Sequence, residues 1–192
     1  MAPNYFVIDI ETCPINLENH ENLNEDQKNK LINPIDSKII AIGIRYDKKN
    51  IILLDEDEKN ILEEFWLEWK TITKGSDQIR AVGFSITNFD IPFIISRSFT
   101  NNVIIAPFLL KNIIDLRDKI NAYRYGLTRG TLKEHSLSLG IKDFGLNGSD
   151  IARLCLKKDY EKIKEYLAND LLITDTMFER VRDTNIININ RW

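Results

Sequence analysis

The sequence predicts an α/β fold whose sheet opens as an antiparallel meander and is flanked by helices. Three observations predict it. Strand-length apolar runs rich in β-branched and aromatic residues recur at positions 5–12, 38–46, 51–55, 79–84 and 112–116. The second and third runs are joined by Asp47-Lys48-Lys49-Asn50, a polar hairpin turn that makes the first three strands antiparallel neighbours. Residues 58–70 and 160–181 carry apolar side chains at helical spacing.

The first run, Tyr5-Phe6-Val7-Ile8-Asp9-Ile10-Glu11-Thr12, is bounded by Pro3-Asn4 and Cys13-Pro14 and reads as a buried strand. It holds two carboxylates two residues apart. Strand side chains alternate between faces, so Asp9 and Glu11 project from the same one. Like charges side by side repel and are costly to bury, and a divalent cation removes the conflict. Acids make up 29 of the 192 residues, so one D-x-E triplet decides little. Further acids arriving downstream in fitting places decide the matter.

Residues 16–37 form a polar excursion with a short helix around 25–31, ended by Asn33-Pro34. After the meander, Ile61, Leu62, Phe65, Trp66 and Trp69 make a core stripe on the helix 58–70, which Gly75-Ser76-Asp77 breaks. The strand 79–84 runs into Ser85-Ile86-Thr87-Asn88-Phe89-Asp90-Ile91-Pro92-Phe93. Pro92 suits the first turn of a helix over 91–98, with Asp90 placed to cap it.

Beyond the strand at 112–116 come five basic residues, Arg117, Lys119, Arg124, Arg129 and Lys133, with no acid between positions 119 and 133. Tyr123, Tyr125, Gly126 and Gly130 interleave with them, which makes a candidate contact surface for phosphates and bases. A solvated loop reads equally well. Helices follow at 131–139, closed by Gly140, and at 149–156, capped by Ser149. On the long helix 160–181, Tyr166 and Asp170 are four residues apart and so share a face. The tail 184–192 shows no helical pattern.

Length and composition fit one globular domain over residues 1–183 with a tail at 184–192; 43% of residues are hydrophobic and 29% charged. The formal charge of −3 argues against coating nucleic acid by bulk electrostatics but allows a cleft that grips a few nucleotides. Cys13 and Cys155 have no metal or redox spacing and read as reduced, buried thiols. The absence of a membrane-length apolar run or signal pattern predicts a cytoplasmic protein.

The order is D-x-E on a strand, N-F-D before a helix, then Y-x-x-x-D on a late helix. It resembles the DEDD 3′–5′ exonucleases of the RNase H-like superfamily, in the form with tyrosine in the third motif. Within these it is most similar to the proofreading exonuclease domain of family-B DNA polymerases, here standing alone. The likeness takes in the strand entry Asp36-Ser37-Lys38-Ile39-Ile40 and the Gly83-Phe84 lead-in. A histidine form would need its imidazole at position 165, where this chain has Glu165. The family commonly has Asn two residues after the glycine of the second motif, and this chain has Ser85, which bears on substrate grip.

The resemblance implies an RNase H-like mixed sheet, antiparallel in its first three strands and parallel after them. It implies that Asp9, Glu11, Asp90 and Asp170 bind two divalent metal ions, Mg²⁺ or Mn²⁺. Asp9 bridges them, Glu11 and Asp170 complete the nucleophile side, and Asp90 supports the leaving group; Tyr166 orients the attacking water. Thr12, Ser85, Asn88, Phe89, Arg124 and Arg129 are the implied substrate contacts. The implied substrate is a single-stranded 3′ end, DNA ahead of RNA, with a replication or repair protein as partner and the tail at Trp192 as a docking point. A catalytically silent nucleic-acid-binding module of the same fold is the alternative. An RNase H-type endonuclease is a third reading, which the Tyr166–Asp170 pair disfavours.

Overall fold

The computed structural model describes residues 4–18, 20–76, 78–124, 130–142, 145 and 148–190. Strand β1 (Tyr5–Pro14) lies at the centre of a five-stranded sheet. β2 (Ser37–Tyr46) pairs antiparallel with β1, and β3 (Lys49–Leu54) antiparallel with β2. On the other side, β4 (Arg80–Gly83) runs parallel to β1, and β5 (Ile113–Asp115) parallel to β4. The spatial order is β3-β2-β1-β4-β5. The mixed sheet is thus antiparallel through its first three strands and parallel after them, as expected. The β2–β3 turn is tighter than the sequence suggests: only Asp47 and Lys48 lie between the strands, at φ 50° and 62°, the left-handed pair that a two-residue hairpin needs.

Alternation along β1 sorts the molecule into layers. Phe6, Ile8 and Ile10 point to one face, where α2 (Glu58–Thr73) and α3 (Asp90–Thr100) cover them with Ile61, Leu62, Phe65, Trp66, Trp69, Phe93 and Ile94. The aromatic stripe of α2 is therefore core. On the opposite face, Val7 packs under α7 (Tyr160–Asp183) and Cys13 under α6 (Gly148–Leu156) together with α7. Asp9 and Glu11 lie between Val7 and Cys13 in the alternation, so they face the α6/α7 layer. A bulge in the β1–β2 pairing, between Glu11 and Thr12, leaves Ile40 unpaired.

Two close approaches set the geometry around β1. Gly43, opposite Asp9 in the β2 register, has no side chain where Leu167 and Leu171 of α7 settle. A Cβ there would come within 2.7 Å of Leu171 Cδ1 and 2.9 Å of Leu167 Cγ. Gly83 ends β4, where a Cβ would meet Ile86 at 2.7 Å and the Ile8 carbonyl at 3.1 Å. The chain can therefore turn sharply across the end of β1. A buried ion pair holds α3 in place: Arg97 donates to Glu58 of α2 at 2.6 Å, and Glu58 also accepts from the Ile39 amide at 2.7 Å.

Several expectations need correction. Cys13 and Cys155 are not free thiols; they form a disulfide with Cα atoms 6.6 Å apart. The alternation of β1 turns Cys13 toward the C-terminal turn of α6, where Cys155 lies. The tail is not a patternless segment throughout: a 3-10 turn covers Ile186–Asn188. Buried Lys119 donates its ammonium to the carbonyls of Ile187, at 3.0 Å, and Ile189. That lysine is committed to the tail rather than to a basic surface. A short helix, α4 (Leu116–Ile120), follows β5 where sequence reading placed only a loop. The remaining helices, α1 (Glu25–Lys30) and α5 (Leu132–Ser138), fall where expected, and both carry a capping box, at Asn24 and Thr131. Among the described residues, no helix is long and apolar enough to cross a membrane.

Candidate metal centre

The site forms at the C-terminal end of β1, where the sheet opens. Pairing with β4 runs only from Tyr5 to Val7, because β4 turns away at Gly83. Beyond Val7 no strand pairs with β1 on that side among the described residues. The amide of Ile10, the residue between the two acids, donates to Asp90 Oδ1 at 3.1 Å. Asp90 is buried as the first residue of α3, with Phe89 rather than Asp90 in the capping position. A backbone hydrogen bond thus seats the second-motif acid beside the first-motif pair, although the two come from opposite layers.

From the α7 side, Leu167 and Leu171 packed over Gly43 bring Asp170 down to the strand. Asp9, Glu11 and Asp170 each present a carboxylate oxygen, all within 4.8 Å of one another. Glu11 is buried, and the other two are half-buried. Tyr166, one turn earlier on α7, is buried, with the Asp170 carboxylate close enough for its charge to act on the phenol. Asp90 stands just outside this triad, close enough for its charge to act on Asp9 and Glu11.

Crowding and burial shape the electrostatics. Burial, then the charges of Asp90, Asp170 and Glu11, push the Asp9 carboxyl well above the usual range, against a backbone hydrogen bond that lowers it. Burial, then Asp170 and Asp90, do the same to Glu11. Burial raises Asp90 to about 7, opposed by backbone hydrogen bonds and helped by the charge of Asp115. Tyr166 is raised above its ordinary value by burial and by the surrounding acids, so its phenol stays protonated. Such a cluster takes up protons or a cation to relieve its charge. The triad contains carboxylate oxygens only, without imidazole or thiolate, a donor set that fits a hard divalent ion such as Mg²⁺ or Mn²⁺.

The other expected contacts divide into two groups. Ser85, Thr87, Asn88 and Phe89 make the turn between β4 and α3 that leads into Asp90; Asn88 is exposed, and Phe89 packs on Phe93 with rings 5.3 Å apart. Thr12 lies at the strand end and lines a small cleft of about 60 Å³ with His20 and Ser37. Arg124 is exposed on the turn after α4. Arg129, Tyr125, Gly126 and Trp192 lie outside the described residues, as does the side chain of Ser149. Asp115, buried at the end of β5, was missed by sequence reading. Its signal was present in Ile113-Ile114-Asp115, an acid closing an apolar strand much as Asp9 follows Val7-Ile8.

The structure is similar to that of the family B DNA polymerase from the hyperthermophilic archaeon Pyrobaculum calidifontis, with a TM-score of 0.71 at 14% identity. The match covers 95% of this chain and 25% of the polymerase, so the chain spans about a quarter of that protein's length. At that identity the likeness is one of fold. No family model matches the chain. The uncharacterized protein MJ0365 of Methanocaldococcus jannaschii is 33% identical over 168 residues, covering 81% of this chain and 92% of the relative. The chain belongs to the family of that protein.

Proposed function

We propose that the protein is a metal-dependent 3′–5′ exonuclease of the DEDD type with tyrosine in its third motif, acting on single-stranded ends, DNA ahead of RNA. The observation that carries this reading is the meeting of Asp9, Glu11 and Asp170 in one oxygen cluster, with buried Tyr166 one helical turn before Asp170 beside it. Acids from β1 and α7 gather there although they are about 160 positions apart in the chain. The fold shared with a family B DNA polymerase supports the choice of DNA.

Asp9, Glu11 and Asp170 would hold one divalent ion, with Asp90 placed to support a second. Ions bound there supply an acidified water and stabilise negative charge on the transferring phosphate. The chain's own groups do the rest. Tyr166, kept neutral by burial and by the neighbouring acids, orients the water through its hydroxyl. Ile10 holds the Asp90 carboxylate against the strand, so that acid need not reorganise when substrate arrives. Asn88 and Phe89, on the exposed turn before α3, flank the terminal nucleotide.

The test uses 5′-labelled single-stranded DNA and RNA of matched sequence with Mg²⁺ or Mn²⁺, and Asp9→Ala alongside. A ladder shortening from the 3′ end, abolished by chelation and by Asp9→Ala, is expected. Circular single strands should survive, which separates an exonuclease from an endonuclease. Strand binding without shortening would instead point to a silent binding module.

A further inference from the structure

Asp115 ends β5, and its buried carboxylate engages five donors. Oδ1 accepts from the amides of Ser85 at 3.0 Å, Arg117 at 3.0 Å and Asp118 at 3.3 Å. Oδ2 accepts from the Thr87 amide at 3.1 Å and the Thr87 hydroxyl at 2.7 Å. The two bonds to Arg117 and Asp118 are an ordinary cap on α4. The other three reach back to a single turn, the one between β4 and α3. A helix cap does not need them.

That turn does. Ser85 sits at φ +59°, a left-handed conformation in which glycine and asparagine are at home and serine is strained. Its carbonyl accepts from the amides of Asn88 and Phe89, both at 3.0 Å, so the conformation at Ser85 sets where those residues stand. The next residue, Asp90, is the acid bonded to Ile10. Asp115 thus fixes Ser85 and Thr87, the Ser85 carbonyl fixes Asn88 and Phe89, and Phe89 leads covalently into Asp90 at the edge of the acid cluster.

We infer that Asp115 is a positioning residue: it clamps the Ser85–Thr87 turn in its strained form and so presents Asn88 and Phe89 to the nucleotide at the chain end. Both oxygens are occupied by N–H and O–H donors, so Asp115 shapes the substrate side of the site without joining the metal set. It also accounts for serine at position 85, since the clamp supplies the stability that a glycine or asparagine would bring there. This assignment rests on the exonuclease reading for its catalytic meaning; the clamp itself is measurable without it.

The test is Asp115→Asn, which keeps an accepting oxygen for the α4 cap but cannot accept on both sides. Thr87→Val is its companion, removing one exposed hydroxyl and sparing the cap should the first variant fold poorly. Amide exchange across residues 85–90 should quicken in Asp115→Asn. On single-stranded DNA, KM should rise about ten-fold, the loss expected for hydrogen bonds to a charged acceptor, while Mn²⁺ affinity stays near wild type. Adding Ser85→Gly should recover much of the KM, because glycine adopts the turn without a clamp. Unchanged exchange in both variants overturns the inference, as does a wild-type KM in an active enzyme. If wild type shortens no strand but exchange still quickens, the exonuclease reading falls and the clamp stands.

Discussion

At Asp90 one carboxylate shows what the site asks of the fold. Burial pushes its pKa from about 4 in an unfolded chain up to about 7 here, so folding favours its protonated form. The sign follows: in metal-free protein the stability tied to Asp90 is fully present below pH about 4, drains away as pH rises toward about 7, and is flat beyond. Asp9 and Glu11, shifted the same way, add to the slope. Thermal melts in chelator should therefore show a falling Tm between pH 5 and 7.5, shallower in Asp90→Asn. Mn²⁺ competes with those protons, so the Tm gain on adding it should grow over the same window. A metal-free Tm that rises with pH across that window would contradict the buried, crowded acids.

The elements hold these residues through absences as much as contacts. Gly43 leaves the space that Leu167 and Leu171 fill, on the helix that carries Asp170 to β1. Gly43→Ala should cost about 1–3 kcal/mol by overpacking. It should also weaken Mn²⁺ binding, since the acids on β1 and α7 part; a stability loss with unaltered Mn²⁺ affinity would disconnect the helix from the site. The disulfide acts in the same layer, joining the end of β1 to α6 across 142 residues of chain. Replacing both cysteines with serine should lower stability by about 2–5 kcal/mol in urea unfolding. An unmoved midpoint would show that the bridge contributes nothing.

For the whole molecule, what sequence made legible follows the range of each interaction. Asp9 and Glu11 could be placed on one face by the two-residue period of a strand, and Tyr166 and Asp170 by the four-residue spacing of a helix. The order of motifs brought those pairs and Asp90 to one site. Contacts between distant stretches were not legible. Asp115 acts on residues 28 and 30 positions earlier, and Cys13 pairs across most of the chain. Helix α4 is five residues long, too short to display a helical period. Lys119 reads as part of a basic surface until the fold buries it against the tail.

The claim that ties these scales together is that acids from β1, α3 and α7 make one divalent-cation centre. Calorimetric titration of Mn²⁺ into chelator-stripped protein tests it most directly, with Asp9→Ala and Asp170→Ala beside wild type. The account predicts saturable binding approaching about two ions per chain in wild type, with most of it lost in either variant. Absent binding, or equal binding in all three proteins, would contradict it.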